Sequence, residues 1–324
     1  MRQRRLPERL TPMWILPFDS FEMMNTILDQ IRNTLPGVSV SEQEPMKAHC
    51  SFRTGGPAAA FLVPEDEETM LKLLVMLSEN KAPFYILGNG TNVVFCDESL
   101  PVFVISTEKL QEISVTEEGD IFAQAGAALS RVATSAYENS FTGMEFASGI
   151  PGSVGGGVLM NAGAYGGELK DILLSVRCCR KDGSFIQELP GEACDFRYRH
   201  SIFQSGEHVI LGAVFHLEKG EKSSIAAKMK ELNARRRDKQ PLDLPSAGSA
   251  FKRPEGHYAA ALIEQCGLKG TSVGGAQVSE KHAGFIVNTG TATSADLKAL
   301  LDLVSNTVKE KTGIELQREI ILFP

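Results

Sequence analysis

Three polar residues in the second half of the chain are of types that could carry a reaction. They are Arg199 in Phe196-Arg-Tyr-Arg-His-Ser201, Ser249 in Pro245-Ser-Ala-Gly-Ser-Ala-Phe-Lys-Arg-Pro254, and Glu319 in Leu316-Gln-Arg-Glu-Ile-Ile-Leu322. An arginine can fork onto a carboxylate or enolate oxygen, and a strand-edge arginine in solvent fits the same residues equally well. Small neighbours around Ser249 let a ligand approach its hydroxyl, although a plain serine turn is the commoner use of such a stretch. No Gly-x-Ser-x-Gly elbow and no Ser-His-Asp order supports a hydrolase, so this serine suits proton donation better than nucleophilic attack. Glu319 lies in an apolar strand and faces either solvent or a functional cleft. Alternation puts Leu316, Arg318 and Ile320 on one face and Gln317, Glu319 and Ile321 on the other; both faces are mixed, and the pattern does not decide. His282, in Lys281-His-Ala-Gly284, stands at the mouth of a strand, where it is either an anion ligand or an ordinary surface histidine.

Two glycine clusters suggest what these groups would act beside. Gly149 to Gly167 holds eight glycines in nineteen residues without being low-complexity, a density tolerated where backbone approaches a ligand closely. The second cluster, Leu87-Gly-Asn-Gly-Thr-Asn92, follows the apolar run Phe84–Leu87. Successive N–H groups in such a turn can cradle phosphate oxygens, with Thr91 and Asn92 adding side-chain bonds. Alone the hexapeptide is better read as a plain hairpin turn; together the clusters reverse that preference and fit a large, flat, phosphate-bearing ligand. Neither is a Rossmann or Walker sequence, because Val93 stands where the third glycine is required and no Gly-Lys-Ser/Thr occurs.

The elements needed to position these residues are those of an α+β protein. The periodicities predict helices at about 25–34, 65–80, 129–139, 223–238, 257–266 and 294–311. The second of these has Leu71, Leu74, Val75 and Ser78 at helical spacing, and the last carries a capping box, Thr293 with Asp296, and Gly313 at its end. Strands are predicted at 59–63, 84–87, 93–95, 102–106, 121–125, 172–179, 184–188, 209–217, 283–287 and 314–323. A boundary at Lys219-Gly-Glu-Lys222 divides a domain over 23–218, itself split near 106, from a smaller one over 219–324, with a site in the cleft between them. Residues 1–22 are expected to be a poorly ordered leader.

With 324 residues, 43% hydrophobic and 23% charged, the chain has an ordinary globular composition, and its net charge of −7 argues against nucleic acid as a partner. The basic run Arg235-Arg-Arg-Asp-Lys239 is read as a solvated helix end. The six cysteines form neither a disulfide framework nor a metal site, which fits a reducing cytoplasm, and Cys178 and Cys179 should point to opposite faces of a strand. No apolar run reaches the length of a membrane helix.

Taken together the segments resemble one family, the UDP-N-acetylenolpyruvoylglucosamine reductases. The matches are Phe52-Arg-Thr-Gly-Gly-Pro57, Gly88-Asn-Gly-Thr-Asn92, Ser148-Gly-Ile-Pro-Gly-Ser-Val-Gly-Gly156, Met160-Asn-Ala-Gly-Ala-Tyr-Gly-Gly167, Tyr198-Arg-His-Ser201, Ala247-Gly-Ser-Ala-Phe-Lys252, Gly274-Gly-Ala-Gln277, Lys281-His-Ala-Gly284 and Leu316-x-x-Glu319. They run in family order over about residues 47–322. The resemblance implies an FAD-binding domain of the vanillyl-alcohol-oxidase type followed by a substrate-binding domain. It implies NADPH-dependent reduction of UDP-N-acetylglucosamine enolpyruvate to UDP-N-acetylmuramate for peptidoglycan synthesis, in a cytoplasmic monomer without a metal.

The same resemblance assigns roles. Arg53, Thr54, Gly55, Gly88, Asn89, Gly90, Thr91, Asn92, Gly126, Ser148, Gly149, Ile150, Pro151, Gly152, Ser153, Gly155, Gly156, Asn161 and Gly163 would hold FAD. Tyr198, Lys252, Arg253, Gln277 and His282 would bind substrate. Ser249 looks like the proton donor, and Arg199 and Glu319 like the pair that stabilises an enolate. The stretch from His216 to Ser223 is too short for the tyrosine loop of one family form, so the chain resembles the short form. Gln317 and Thr91 stand where the family often has glutamate and serine. An oxygen-using oxidase of the same fold would often tether its flavin through histidine, and the glycine segments contain none. A non-catalytic flavin or UDP-sugar binder would be expected to lack one of Arg199, Ser249 and Glu319.

Overall fold

The computed structural model describes residues 19–323, so most of the leader expected over 1–22 lies outside the described residues. The described chain starts in helix α1 (Asp19–Thr34) and continues as β1 (Val38–Pro45), β2 (Pro57–Pro64), α2 (Glu67–Glu79), β3 (Phe84–Leu87), β4 (Val93–Val94) and β5 (Leu100–Ser106). Strands β1, β2, β5 and β3 form a sheet in that order, β1 antiparallel to β2 and β5 parallel to both of its neighbours. Seven consecutive buried residues in β2, Ala58–Pro64, mark a strand covered on both faces. One face packs on α1 and α2 through Leu62, Phe103 and Ile105. Asp66 starts α2 by accepting from Thr69 N at 2.8 Å. The buried stripe of α2 is Met70, Leu73, Leu74 and Leu77, one residue out of step with the predicted series, and Val75 is 37% exposed.

A second unit follows: β6 (Ile113–Val115), β7 (Asp120–Gln124), α3 (Leu129–Glu138), β8 (Phe141–Thr142), α4 (Val154–Met160), the small pair β9 (Gly163–Ala164) and β10 (Gly167–Glu168), β11 (Leu173–Arg180), β12 (Gln187–Pro190), β13 (His208–His216), β14 (Glu218–Lys219) and α5 (Lys222–Lys239). Its antiparallel sheet runs β12-β11-β13-β7-β6. Cys178 enters the core shared with α3, and its neighbour Cys179 enters the core of α1 and α2 on the opposite face; all six cysteines are free.

Helix α5 belongs with this unit. Leu232 is part of its core, β14 pairs with β8, and Asn233 Nδ2 donates to Ser148 Oγ at 3.2 Å. The predicted boundary at 219–222 is therefore a turn inside the unit, where Gly220 N donates to Ser140 O at 2.9 Å. The change of core comes after Lys239. The remaining elements are α6 (Ala259–Gln265), β15 (Ser272–Val273), β16 (Ala276–Val278), β17 (Ile286–Asn288), α7 (Ser294–Thr312) and β18 (Ile321–Leu322). They share one core with the other face of the first sheet, where Leu262, Val278, Leu297 and Leu301 meet Phe61, Val63, Val102 and Val104. The long final strand predicted over 314–323 reduces to β18, paired in parallel with β4, and a bridge from Arg318 to Phe251. That pairing ties the C-terminal end of the chain to the glycine turn at 88–92. Among the described residues no helix is long and apolar enough to cross a membrane.

Candidate active site

The two glycine clusters meet across a cleft of about 690 Å³. Leaving β3, the chain turns so tightly that Gly90 adopts φ +60°, and a Cβ there would lie 2.0 Å from His49 O. A Cβ on Gly88 would fall 2.2 Å from Ser153 Oγ, so the turn touches the second segment directly. Asn89 Nδ2 fixes the approach by donating to Pro151 O at 2.8 Å. Ser153 caps α4, its Oγ accepting from Gly156 N at 3.4 Å, and Gly155 N donates to Ala125 O at 2.8 Å. The N–H groups of Gly88, Asn89, Gly90, Thr91 and Asn92, with those of Gly152 and Ser153, donate to no acceptor among the described residues. Such a set of free donors beside an approachable backbone is suited to phosphate oxygens.

Of the predicted cofactor contacts, Arg53, Gly88, Asn89, Gly90, Thr91, Asn92, Ile150, Pro151, Gly152, Ser153, Gly155, Gly156 and Gly163 line the cleft. The others stand behind its walls. Thr54 is buried with its Oγ1 lacking any hydrogen-bond partner, Gly55 packs on Phe95 and Met46, and Gly126 on Thr107 O. Ser148 donates to Glu145 O at 2.8 Å, and Gly149 rests against Asn233 and Arg236. Asn161, fully buried, donates to Glu168 and to Arg197 O, both at 3.0 Å.

The three reactive candidates converge on the same cleft. Arg199 sits in a tight turn with φ +52°, bounded by the bridge between Arg197 and His200. Its Nε donates to Glu319 Oε1 at 2.6 Å and its Nη2 to Gly163 O at 3.1 Å. The pair is 17% and 12% exposed, so water screens its charges weakly. Burial raises the Glu319 pKa, opposed by the nearby charges of Arg199 and Lys252. The segment 249–252 threads between two others: Ala250 N donates to Gly284 O at 2.8 Å, and Glu319 N donates to Ala250 O at 2.9 Å. This ladder brings Ser249 and Glu319 together, and Ser249 presents an exposed hydroxyl. The undecided alternation of the last strand resolves, since Leu316 and Ile320 enter the core while Glu319 and Ile321 line the cleft.

None of the five predicted substrate contacts lines this cleft. Tyr198 lies beside it, its ring 5.0 Å under the Arg199 guanidinium and its hydroxyl accepting from Arg253 N at 3.2 Å. Arg253 in turn covers Tyr258, and Lys252 adds positive charge near Glu319. Gln277 bonds within its own strand pair, to Gly270 O at 3.3 Å and Ser272 Oγ at 3.2 Å. His282 accepts from Gly284 N at 3.1 Å and stacks edge-on against Phe285. Burial lowers its pKa and favours the neutral ring, which suits a turn-holding histidine rather than an anion ligand. Sequence reasoning missed Arg236, Gln240 and the strap Pro241-Leu-Asp-Leu-Pro245, all of which line the cleft. Two prolines bracketing two leucines were the available signal; Leu242 is 51% exposed there.

A close-approach glycine turn, free N–H donors and an apolar floor of Ile86, Leu129 and Ile321 fit a flat ring system joined to a pyrophosphate. The α+β fold with this cleft is that of an FAD-binding domain followed by a smaller α+β domain, and the protein is an FAD-dependent oxidoreductase. Residues 58–187 match the model of an FAD binding domain, and residues 240–323 match that of the UDP-N-acetylenolpyruvoylglucosamine reductase C-terminal domain. The reductase of Caldanaerobacter subterraneus subsp. tengcongensis is 46% identical over 298 residues, covering 92% of this chain and 98% of the relative. That of Clostridium botulinum strain 657 is 45% identical over 291 residues, covering 90% and 94%. The crystal structure of the Thermus caldophilus enzyme superposes with a TM-score of 0.75 at 32% identity, covering 89% of this chain and 99% of that one. The chain belongs to the UDP-N-acetylenolpyruvoylglucosamine reductase family.

Proposed function

We propose that the protein reduces UDP-N-acetylglucosamine enolpyruvate to UDP-N-acetylmuramate with NADPH, as a cytoplasmic monomer supplying peptidoglycan precursors. The observation that carries this is the placing of Arg199, Glu319 and Ser249 on the same cleft that the two glycine segments line. When bound, FAD would supply the hydride for the β carbon of the enolpyruvyl group, with NADPH as its reductant. The free N–H groups of the glycine turn at 88–92 and of Gly152 and Ser153 would hold the phosphates of the cofactor.

Hydride addition moves negative charge toward the substrate carboxylate. The fixed Arg199 guanidinium stabilises that charge more in the transition state than in the ground state. Glu319 holds Arg199 in place by accepting from its Nε at 2.6 Å. Ser249 donates the proton to the α carbon. Tyr198, Lys252 and Arg253 form the cationic and aromatic neighbourhood through which a diphosphate would be attracted. Incubation of the purified protein with NADPH and the enolpyruvyl sugar should give a product heavier by two hydrogens. NADPH oxidation without that product would refute the substrate assignment.

A further inference from the structure

The basic run read from sequence as a solvated helix end divides in the fold. Arg235 pairs with Glu231 at 3.5 Å and covers the Tyr165 ring. Arg236 instead turns into the cleft, half-buried, where a Cβ on Gly149 would lie 3.2 Å from its Cδ. Its guanidinium makes no ion pair or hydrogen bond among the described residues. Arginine does not shed its proton, so a cation with unsatisfied donors faces the ligand space. One helical turn on, Gln240 caps α5 and lines the same cleft, its Oε1 buried without a partner. The terminal amide torsion is broad and roughly two-fold, so a half-turn brings that oxygen to the cleft and exchanges one unpartnered buried atom for another.

A donor fork beside an amide acceptor complements a ring edge on which a carbonyl oxygen adjoins an N–H. That edge is a cyclic imide, and both a flavin and a uracil carry one. The flavin is favoured by position. Arg236 packs on Gly149 at the head of the glycine segment, and Asn233, one turn earlier, is bonded to Ser148. We propose that Arg236 and Gln240 receive the flavin imide edge, Gln240 accepting from the ring N–H and Arg236 donating to the adjacent carbonyl oxygen. Arg236 then holds that edge more tightly when the ring has gained electrons, because a cation favours the electron-richer form. The inference rests on the FAD reading and adds two positioning residues to it.

The test uses the FAD-loaded wild type, Arg236→Met and Gln240→Leu, with circular dichroism melts to verify folding. Midpoint potentials are read against a redox dye, and apoprotein affinities for FAD and N3-methyl-FAD by fluorescence quenching. Affinity for uridine diphosphate is read by calorimetry. Arg236→Met should favour the oxidised cofactor about tenfold, lowering the potential by about 30 mV. Wild type should bind N3-methyl-FAD about tenfold more weakly than FAD, a single charge-neutral hydrogen bond's worth, and Gln240→Leu should lose that discrimination. An unchanged potential in Arg236→Met together with equal binding of the two flavins by wild type overturns the proposal. A fall in uridine diphosphate affinity with both flavin readouts unchanged would give the pair to uracil and likewise overturn the flavin assignment. A wild type that takes up no FAD would sink the cofactor reading itself.

Discussion

Arg199 Nε and Glu319 Oε1 are 2.6 Å apart although 120 residues separate them in the chain. The bond ties the second unit to the strand that returns beside the glycine turn, and the same guanidinium holds Gly163 O at 3.1 Å. One side chain therefore couples the carboxylate to the glycine segment. A buried pair of this kind contributes little net stability, and removing one partner strands the other.

Arg199→Lys keeps the charge and loses the fork. Reduction of the enolpyruvyl sugar should slow by about 10²–10³-fold, comparable to loss of a fixed donor at a developing oxyanion, while reduction of FAD by NADPH stays near wild type. Stopped-flow measurement of the two half-reactions checks this. An unchanged second half-reaction removes Arg199 from the chemistry.

Ser249→Ala should leave the NADPH half-reaction nearly intact and slow the sugar half-reaction by about 10²–10⁴-fold, the usual worth of a positioned acid. Equal slowing of both halves would mean that the substitution disturbs the cleft and that Ser249 is no proton donor.

Gly88→Ala places a methyl group 2.2 Å from Ser153 Oγ, displacing the hydroxyl that caps α4 where the two glycine segments touch. The expected outcome is loss of FAD on gel filtration and a lower melting temperature that added FAD partly restores. A variant that retains FAD stoichiometrically would contradict the role given to this contact.

The raised pKa of Glu319 has a signed consequence for stability. Between the ordinary glutamate value of 4.5 and its raised folded value, the folded protein binds more protons than the unfolded chain. Stability from this group is thus lost as pH rises through that window. Glu319→Gln lacks the titration, so the melting-temperature difference between wild type and variant should move against wild type as pH increases from 4.5. A difference independent of pH would show that the carboxyl titrates normally.

Much of this arrangement was legible because local chemistry agrees with tertiary context. The Thr293 and Asp296 box closes with bonds of 3.1 and 3.0 Å, and Gly313 ends α7 at φ +76°. Strand β3 and the two glycine clusters were equally clear. What escaped depends on distant partners. Helix α4 holds three glycines in seven residues and is a poor helix by propensity; it is held by Ser153 and by contact with Ala125. The polar β1 is an edge strand with little hydrophobic signal. Lys219-Gly-Glu-Lys222 looks like a linker because it is a polar turn, and only tertiary contacts, such as the packing of Leu232 and the bond from Asn233 to Ser148, show that α5 belongs to the unit before it. Arg236 is indistinguishable in sequence from its solvated neighbours.

The most direct test of the central claim is an anaerobic visible spectrum of the purified protein, with NADPH added first and UDP-N-acetylglucosamine enolpyruvate second. The flavin absorbance should bleach with NADPH and return when the sugar is added, before any oxygen is admitted. Absorbance that returns only with oxygen would contradict the account and point to an oxidase.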